Sequence, residues 1–125
     1  MSHAVLVFLG AGIGGVLRHA VNILGPRLFG PGFPWSTFVV NVAGSLAMGL
    51  LAGWFAARAP GGAALRLFLT TGILGGFTTF SAFSLDAVLL LQRGEAAAGA
   101  AYILGSVLLS LAALAGGLWL VRAVG

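Results

Sequence analysis

Apolar residues fall in four blocks along this chain, each close to the roughly 20 residues that a helix needs to cross a hydrocarbon layer of about 30 Å. The blocks are residues 4–24, 35–57, 67–91 and 97–121, and each is uncharged or nearly so. The connections between them are short and rich in helix breakers. Residues 25–34 read GPRLFGPGFP, and the three prolines and three glycines there predict that no helix runs through. The second connection contains Pro60, Gly61 and Gly62, and the third carries Arg93, Gly94 and Glu95. The pattern predicts an all-α integral membrane protein, a single domain over residues 1–125, with four transmembrane helices and no soluble appendage.

The third block differs from the others at its centre, where residues 70–84 read TTGILGGFTTFSAFS. Gly75 and Gly76 are followed by Thr78 and Thr79, which combines poor helix formers with hydroxyls able to bond to the backbone. Irregular backbone at mid-membrane persists only where it is buried in protein or lines a polar cavity. A helix broken here would free carbonyls suited to a cation, while the start of the following half-helix would favour anions. The alternative is a continuous helix whose glycines pack and whose hydroxyls bond back to the preceding turn. Phe77, Phe80 and Phe83 recur every three residues along one drifting face. Such rings face lipid or packing partners by default, but their positive edges also suit a small, partly dehydrated anion.

Other polar residues stand inside the blocks. Asn41, with Ser36, Thr37 and Ser45 near it, requires a partner in the bundle interior or a watery vestibule. Tyr102, Ser106 and Ser110 are spaced by four, which places three hydroxyls on one helix face as either an interhelical seam or a track for an ion. Arg18, close to His19 and Asn22, is read either as a side chain snorkelling to the headgroups or as a charge that gathers anions at a pore mouth. Asp86 lies deep enough to need a partner or water, and with no evident companion it reads as structural.

Composition strengthens the membrane reading: 60% of the chain is hydrophobic and 6% charged, against about 25% charged in soluble domains. No basic residue precedes the first block, so that segment is read as retained rather than as a signal peptide. The absence of cysteine excludes disulfides and thiolate metal sites. The six arginines sit at helix ends and in loops, where lipid headgroups meet them, rather than on one face as nucleic-acid binding requires. Arg58, Arg66 and Arg122 fall on the side of the termini, and Arg18, Arg27 and Arg93 on the other. That balance reads either as noise from few charges or as insertion in both orientations with head-to-tail pairing. Among the 21 glycines, the pairs Gly10 and Gly14, Gly49 and Gly53, and Gly72 and Gly76 have the spacing that lets membrane helices approach closely.

Along essentially its whole length the chain resembles the Fluc fluoride channels, the CrcB-like family. The likeness rests on GGVLR at residues 14–18, FVVNVAGS at 38–45, TGILGGFTTFSAFS at 71–84 and the Tyr102, Ser106, Ser110 row. Ala82 departs from it, standing where the family pattern often has Thr. The resemblance implies an antiparallel, dual-topology homodimer in a bacterial-type inner membrane, with two pores passing fluoride passively outward and so protecting against its toxicity. It further implies a structural, non-transported sodium ion at the centre, held by the backbone carbonyls of Gly75 and Thr78 from both copies. On the fluoride pathway it places Asn41 as an amide donor, Phe80 and Phe83 as ring-edge contacts, Thr79, the row Tyr102, Ser106 and Ser110, and Arg18 at the vestibule.

Three other functions make different demands on the residues. A small multidrug-resistance-type proton-coupled exporter needs a membrane-embedded carboxylate; residues 4–24 hold none, and Asp86 alone would have to serve. An intramembrane enzyme would have to work with two histidines, two acids and no positioned base and nucleophile. A purely structural bundle would tolerate Phe80→Ile and Asn41→Leu.

Overall fold

The first helix, α1 (His3–Phe29), opens on Ser2, whose hydroxyl accepts the Val5 amide at 3.2 Å. It closes at Gly30, whose φ of 83° turns the chain and whose N–H reaches the Pro26 carbonyl at 3.0 Å. In this computed structural model, which describes residues 1–58 and 61–125, α2 (Trp35–Arg58) follows. The third crossing is assembled from α3 (Gly62–Leu67), a π-helical stretch (Phe68–Leu74), α4 (Gly75–Phe77) and α5 (Phe80–Gln92). The last helix is α6 (Ala96–Val124). Among the described residues, four helical stretches are long and apolar enough to cross a membrane: His3–Phe29, Trp35–Arg58, Gly62–Gln92 and Ala96–Val124. Pro60, counted above as a breaker, lies outside the described residues.

No helix runs through the first Pro- and Gly-rich connection, since residues 30–34 are non-helical, but the first helix ends later than expected. It enters the connection, because α1 continues through Gly25 and Pro26 to Phe29. Proline keeps a helical φ and removes one ladder donor, and neighbouring hydroxyls can meet the carbonyls it leaves exposed. The carbonyl that Pro26 frees is that of Asn22; one residue earlier, Ser36 at the start of α2 packs against Gly25 and donates from Oγ to the Val21 carbonyl at 3.1 Å, tying α2 to this end of α1.

Glycine contacts set the helix spacing. A Cβ on Gly10 would lie 2.7 Å from the Phe68 carbonyl oxygen and 2.9 Å from the Gly72 Cα, and one on Gly76 would strike the Ala11 backbone. The first and third crossings therefore meet backbone to backbone, along the face that Gly14 continues against Ile73. On the other side, α2 and α6 run in the same direction with Gly49 and Gly117 at their contact: a Cβ on Gly117 would sit 2.7 Å from the Leu46 carbonyl oxygen. The buried apolar cluster is small, with Ala87, Leu90 and Tyr102 packed by Phe33, Phe38, Phe83, Ala98 and Ile103. Most large apolar side chains point outward, Phe8, Val16, Leu108, Leu111 and Trp119 among them, which water would penalise and lipid does not.

Candidate ion pathway

Between α4 and α5 the backbone leaves helical geometry for two residues. Thr78 has φ −83° and ψ 157°, and Thr79 has φ −153° and ψ 122°. Each threonine closes one of the helix ends beside it. The Thr78 N–H and Oγ1 both donate to the Leu74 carbonyl, at 3.0 and 2.9 Å, ending the first half. Thr79 Oγ1 accepts the Ala82 amide at 3.2 Å and caps α5. Asn41 reaches across from α2: its Nδ2 donates to the Thr79 carbonyl at 3.0 Å, and its Oδ1 accepts the Thr79 N–H at 2.9 Å.

Beside this bridge lies a cleft of about 360 Å³, bounded by α2, the two threonines, the start of α5 and the middle of α6. Asn41, Ser45, Thr78, Thr79, Ser106 and Ser110 bring polar groups to it, and Phe80, Phe83, Met48, Val107 and Leu114 complete its walls with apolar surface. Ser106 is buried, at 5% exposure, and its Oγ has no hydrogen-bond partner among the described residues. Buried hydroxyls are otherwise almost always paired, because leaving one bare costs about 1–3 kcal/mol. The two phenyl rings differ in freedom. Phe83 packs on Tyr102 with centroids 5.2 Å apart, whereas Phe80 is 69% exposed and touches Phe83 at 5.7 Å.

The structure thus gathers Asn41, Thr79, Phe80, Phe83, Ser106 and Ser110 in one cleft, joined by Thr78. It sets the other candidates apart. Tyr102 is fully buried and donates from Oη to Asp86 Oδ2 at 3.2 Å, so Asp86 has the companion that its neighbours in sequence do not supply. Arg18 donates from Nε to the Gly76 carbonyl at 3.3 Å, a cation at the end of the first half-helix. Gly75 borders a second groove, with Met48, Arg66, Thr70 and Thr71. Among the described residues no group of three His, Cys, Asp or Glu side chains could hold a metal ion.

Met48 and Leu114 escaped the reading of the residues, although spacing pointed to both. Asn41, Ser45 and Met48 share a helix face, and Leu114 extends the row of Tyr102, Ser106 and Ser110 by one more step of four. The Asn41 to Thr79 and Tyr102 to Asp86 pairs carried no local signal.

The chain resembles proteins of known kind over nearly all its length. The family model described as CrcB-like protein, Camphor Resistance (CrcB), matches residues 5–118. A relative from Methylobacterium nodulans named Fluoride-specific ion channel FluC is 57% identical over 125 residues, covering 100% of both chains. One of the same name from Rhodopseudomonas palustris is 55% identical over 120 residues, 96% of this chain and 97% of its own. A third, from Rhizobium etli, is 54% identical over 124 residues. By these matches, which span nearly the whole chain, it belongs to the CrcB-like family of ion channels, which are not enzymes.

Proposed function

We propose that two copies of this chain, inverted relative to each other, form a channel that lets fluoride leave the cell down its gradient. The chain is a multi-pass inner-membrane protein by its four apolar helices and its family, and its relatives carry fluoride channel in their names. The observation that carries the reading is Ser106: a buried hydroxyl without a partner, in a cleft that also holds Ser110, Asn41 and two phenyl rings. A hydroxyl that no protein group engages is available to a passing ion.

Fluoride is small and strongly hydrated, so a pore must replace its water with several donors, each weak enough to release it. The cleft offers such a set. One N–H of the Asn41 amide is engaged with Thr79, which leaves the second to donate. Ser106 and Ser110 add hydroxyls, Thr79 borders the same space, and the edges of Phe80 and Phe83 add weakly positive C–H surface. Tyr102 and Arg18 act from outside the cleft, Tyr102 by supporting Phe83 and Arg18 by placing positive charge where anions approach. Proton-coupled export is not favoured, because the one carboxylate in the third crossing is tied to Tyr102 and does not border the cleft.

A second copy accounts for the exposed face of the third crossing, where Thr71, Gly75, Phe80, Ser81 and Ser84 are open at mid-membrane. Polar backbone and hydroxyls facing lipid are costly, so protein is the natural cover, and lipid surrounds the rest. The near balance of arginines between the two sides agrees with inverted pairing.

The residues also fit a central sodium ion. The amides that would continue the helical ladder to the Gly75 and Thr78 carbonyls belong to Thr79 and Ala82, and both are diverted, to Asn41 Oδ1 and Thr79 Oγ1. Two carbonyl oxygens are thereby released, and hard cations take oxygen ligands of this kind. When bound, such an ion would supply a fixed positive charge between the two copies.

Efflux from liposomes holding the purified protein tests the proposal. Fast fluoride release with chloride nearly retained is expected, and equal passage of both anions, or of neither, overturns it.

A further inference from the structure

We propose that Asn41 is a positioning residue for the cation cradle as well as a donor on the anion path, because it holds Thr79 in the extended conformation that keeps the Gly75 carbonyl free. The inference rests on the central cation proposed above.

One carboxamide makes two hydrogen bonds to one residue. Asn41 accepts the Thr79 N–H at 2.9 Å and donates to the Thr79 carbonyl at 3.0 Å. A residue in a strand turns its own N–H and C=O to the same side, which is why paired strands exchange two bonds through a single residue. In a helix the two groups point to opposite ends of the axis, and no single side chain can bridge them. Thr79, at φ −153° and ψ 122°, has the strand geometry, so the Asn41 amide stands in for a neighbouring strand. The bridge forms only when the third crossing is open at this point, and its two bonds favour that state over a closed helix.

Closing the helix would send the Thr79 N–H back to the Gly75 carbonyl, four residues earlier. While Asn41 holds that N–H, the Gly75 oxygen stays outside the ladder. The second Nδ2 proton is not used by the bridge, and Asn41 lines the cleft. One side chain thus serves two sites through different atoms: Oδ1 governs the carbonyl, and the spare N–H meets the anion.

This division suggests variants that separate the roles. In Asn41→Asp, a carboxylate oxygen still accepts the Thr79 N–H, and in the neutral acid the hydroxyl also donates to the Thr79 carbonyl, but no N–H remains for the anion. Asn41→Ala loses both functions. Thermal unfolding of the purified protein in detergent, followed against sodium concentration, gives the half-saturating sodium without reference to transport. Exchange of the Thr79 amide, read by NMR on protein labelled at threonine nitrogen, reports the bridge itself.

In Asn41→Ala the half-saturating sodium is expected to rise about tenfold, and Thr79 exchange to accelerate about tenfold or more, as expected for a net hydrogen bond lost. Asn41→Asp is expected to keep both within about threefold of the original, a small shift on the free-energy scale, while its fluoride flux falls sharply. The proposal is overturned if Asn41→Ala leaves Thr79 exchange unchanged, or if Asn41→Asp shifts the sodium response as far as Asn41→Ala does. Indifference of the unsubstituted protein to sodium overturns the link to the cation, and Thr79 exchange then still decides whether the bridge exists. Should Asn41→Ala fail to fold, Asn41→Ser serves in its place, because its single short hydroxyl cannot span both groups.

Discussion

Replacing Ser106 with alanine separates a residue that serves an ion from one that serves the fold. In most buried sites Ser→Ala removes a hydrogen bond and costs stability. Ser106 has none to lose: it is 5% exposed and its Oγ meets no donor or acceptor. The substitution removes a hydroxyl whose desolvation costs about 1–3 kcal/mol, and the void left by one oxygen is small and borders an existing cleft. Ser106→Ala is therefore expected to be neutral or to stabilise the folded protein by about 1 kcal/mol. Fluoride flux should move the other way, because a hydrogen bond to a charged group is worth about 1.5–3 kcal/mol, or about tenfold in rate when part of it is lost at the barrier. The measurements are thermal unfolding in detergent and liposome efflux on the same preparation. A variant destabilised by 1 kcal/mol or more (about one ordinary hydrogen bond) with undiminished flux would refute the reasoning and make Ser106 a packing residue.

Phe80→Ile is expected to abolish fluoride efflux and leave folding intact, since the ring is 69% exposed in a single copy; gel filtration beside the flux assay checks both. Gly76→Ala should destabilise by about 1–3 kcal/mol or prevent folding, because the new Cβ strikes the Ala11 backbone. Gly12→Ala, with nothing within 4 Å of the added carbon, is the matched control and should be neutral or slightly stabilising in the same unfolding assay. Tyr102→Phe strands Asp86 without its donor and should cost about 1–3 kcal/mol on unfolding, with the loss relieved when Asp86→Asn is added. Efflux into sodium-free medium should decline, and undiminished conduction there would remove the cation from the mechanism.

Much of this architecture was readable one residue at a time. The four crossings follow from apolar runs matched to a bilayer, and their observed limits differ from the expected ones mainly at the ends, where α1 passes through Pro26 and the third crossing begins at Gly62. Pro26 leaves the Asn22 carbonyl without its ladder donor, and that local cost did not end the helix before Phe29. The small-residue pairs also turned out as packing spacing implies, with Gly10, Gly14, Gly72 and Gly76 all in the contact of the first and third crossings. The glycines and threonines at the centre of the third crossing drew attention as weak helix formers, and the two residues with extended backbone are Thr78 and Thr79.

Residues in the cleft were legible as types but not as partners. Asn41 called for a hydrogen-bond partner because a buried amide must have one, yet nothing near it in the chain named Thr79, 38 positions away. Asp86 looked solitary because its donor, Tyr102, lies on the next helix. Ser106 and Tyr102 are alike in spacing and chemistry along α6, but one hydroxyl is satisfied and the other bare.

The sequence alone determined what depends on local chemistry: how many times the chain crosses the membrane, which faces have room for another helix, and where the third crossing is weakest. Only the tertiary structure decided which polar groups remain free to meet an ion. That choice depends on helix-to-helix distances and rotation, and side chains far apart in the chain settle it by taking or leaving each other's hydrogen bonds.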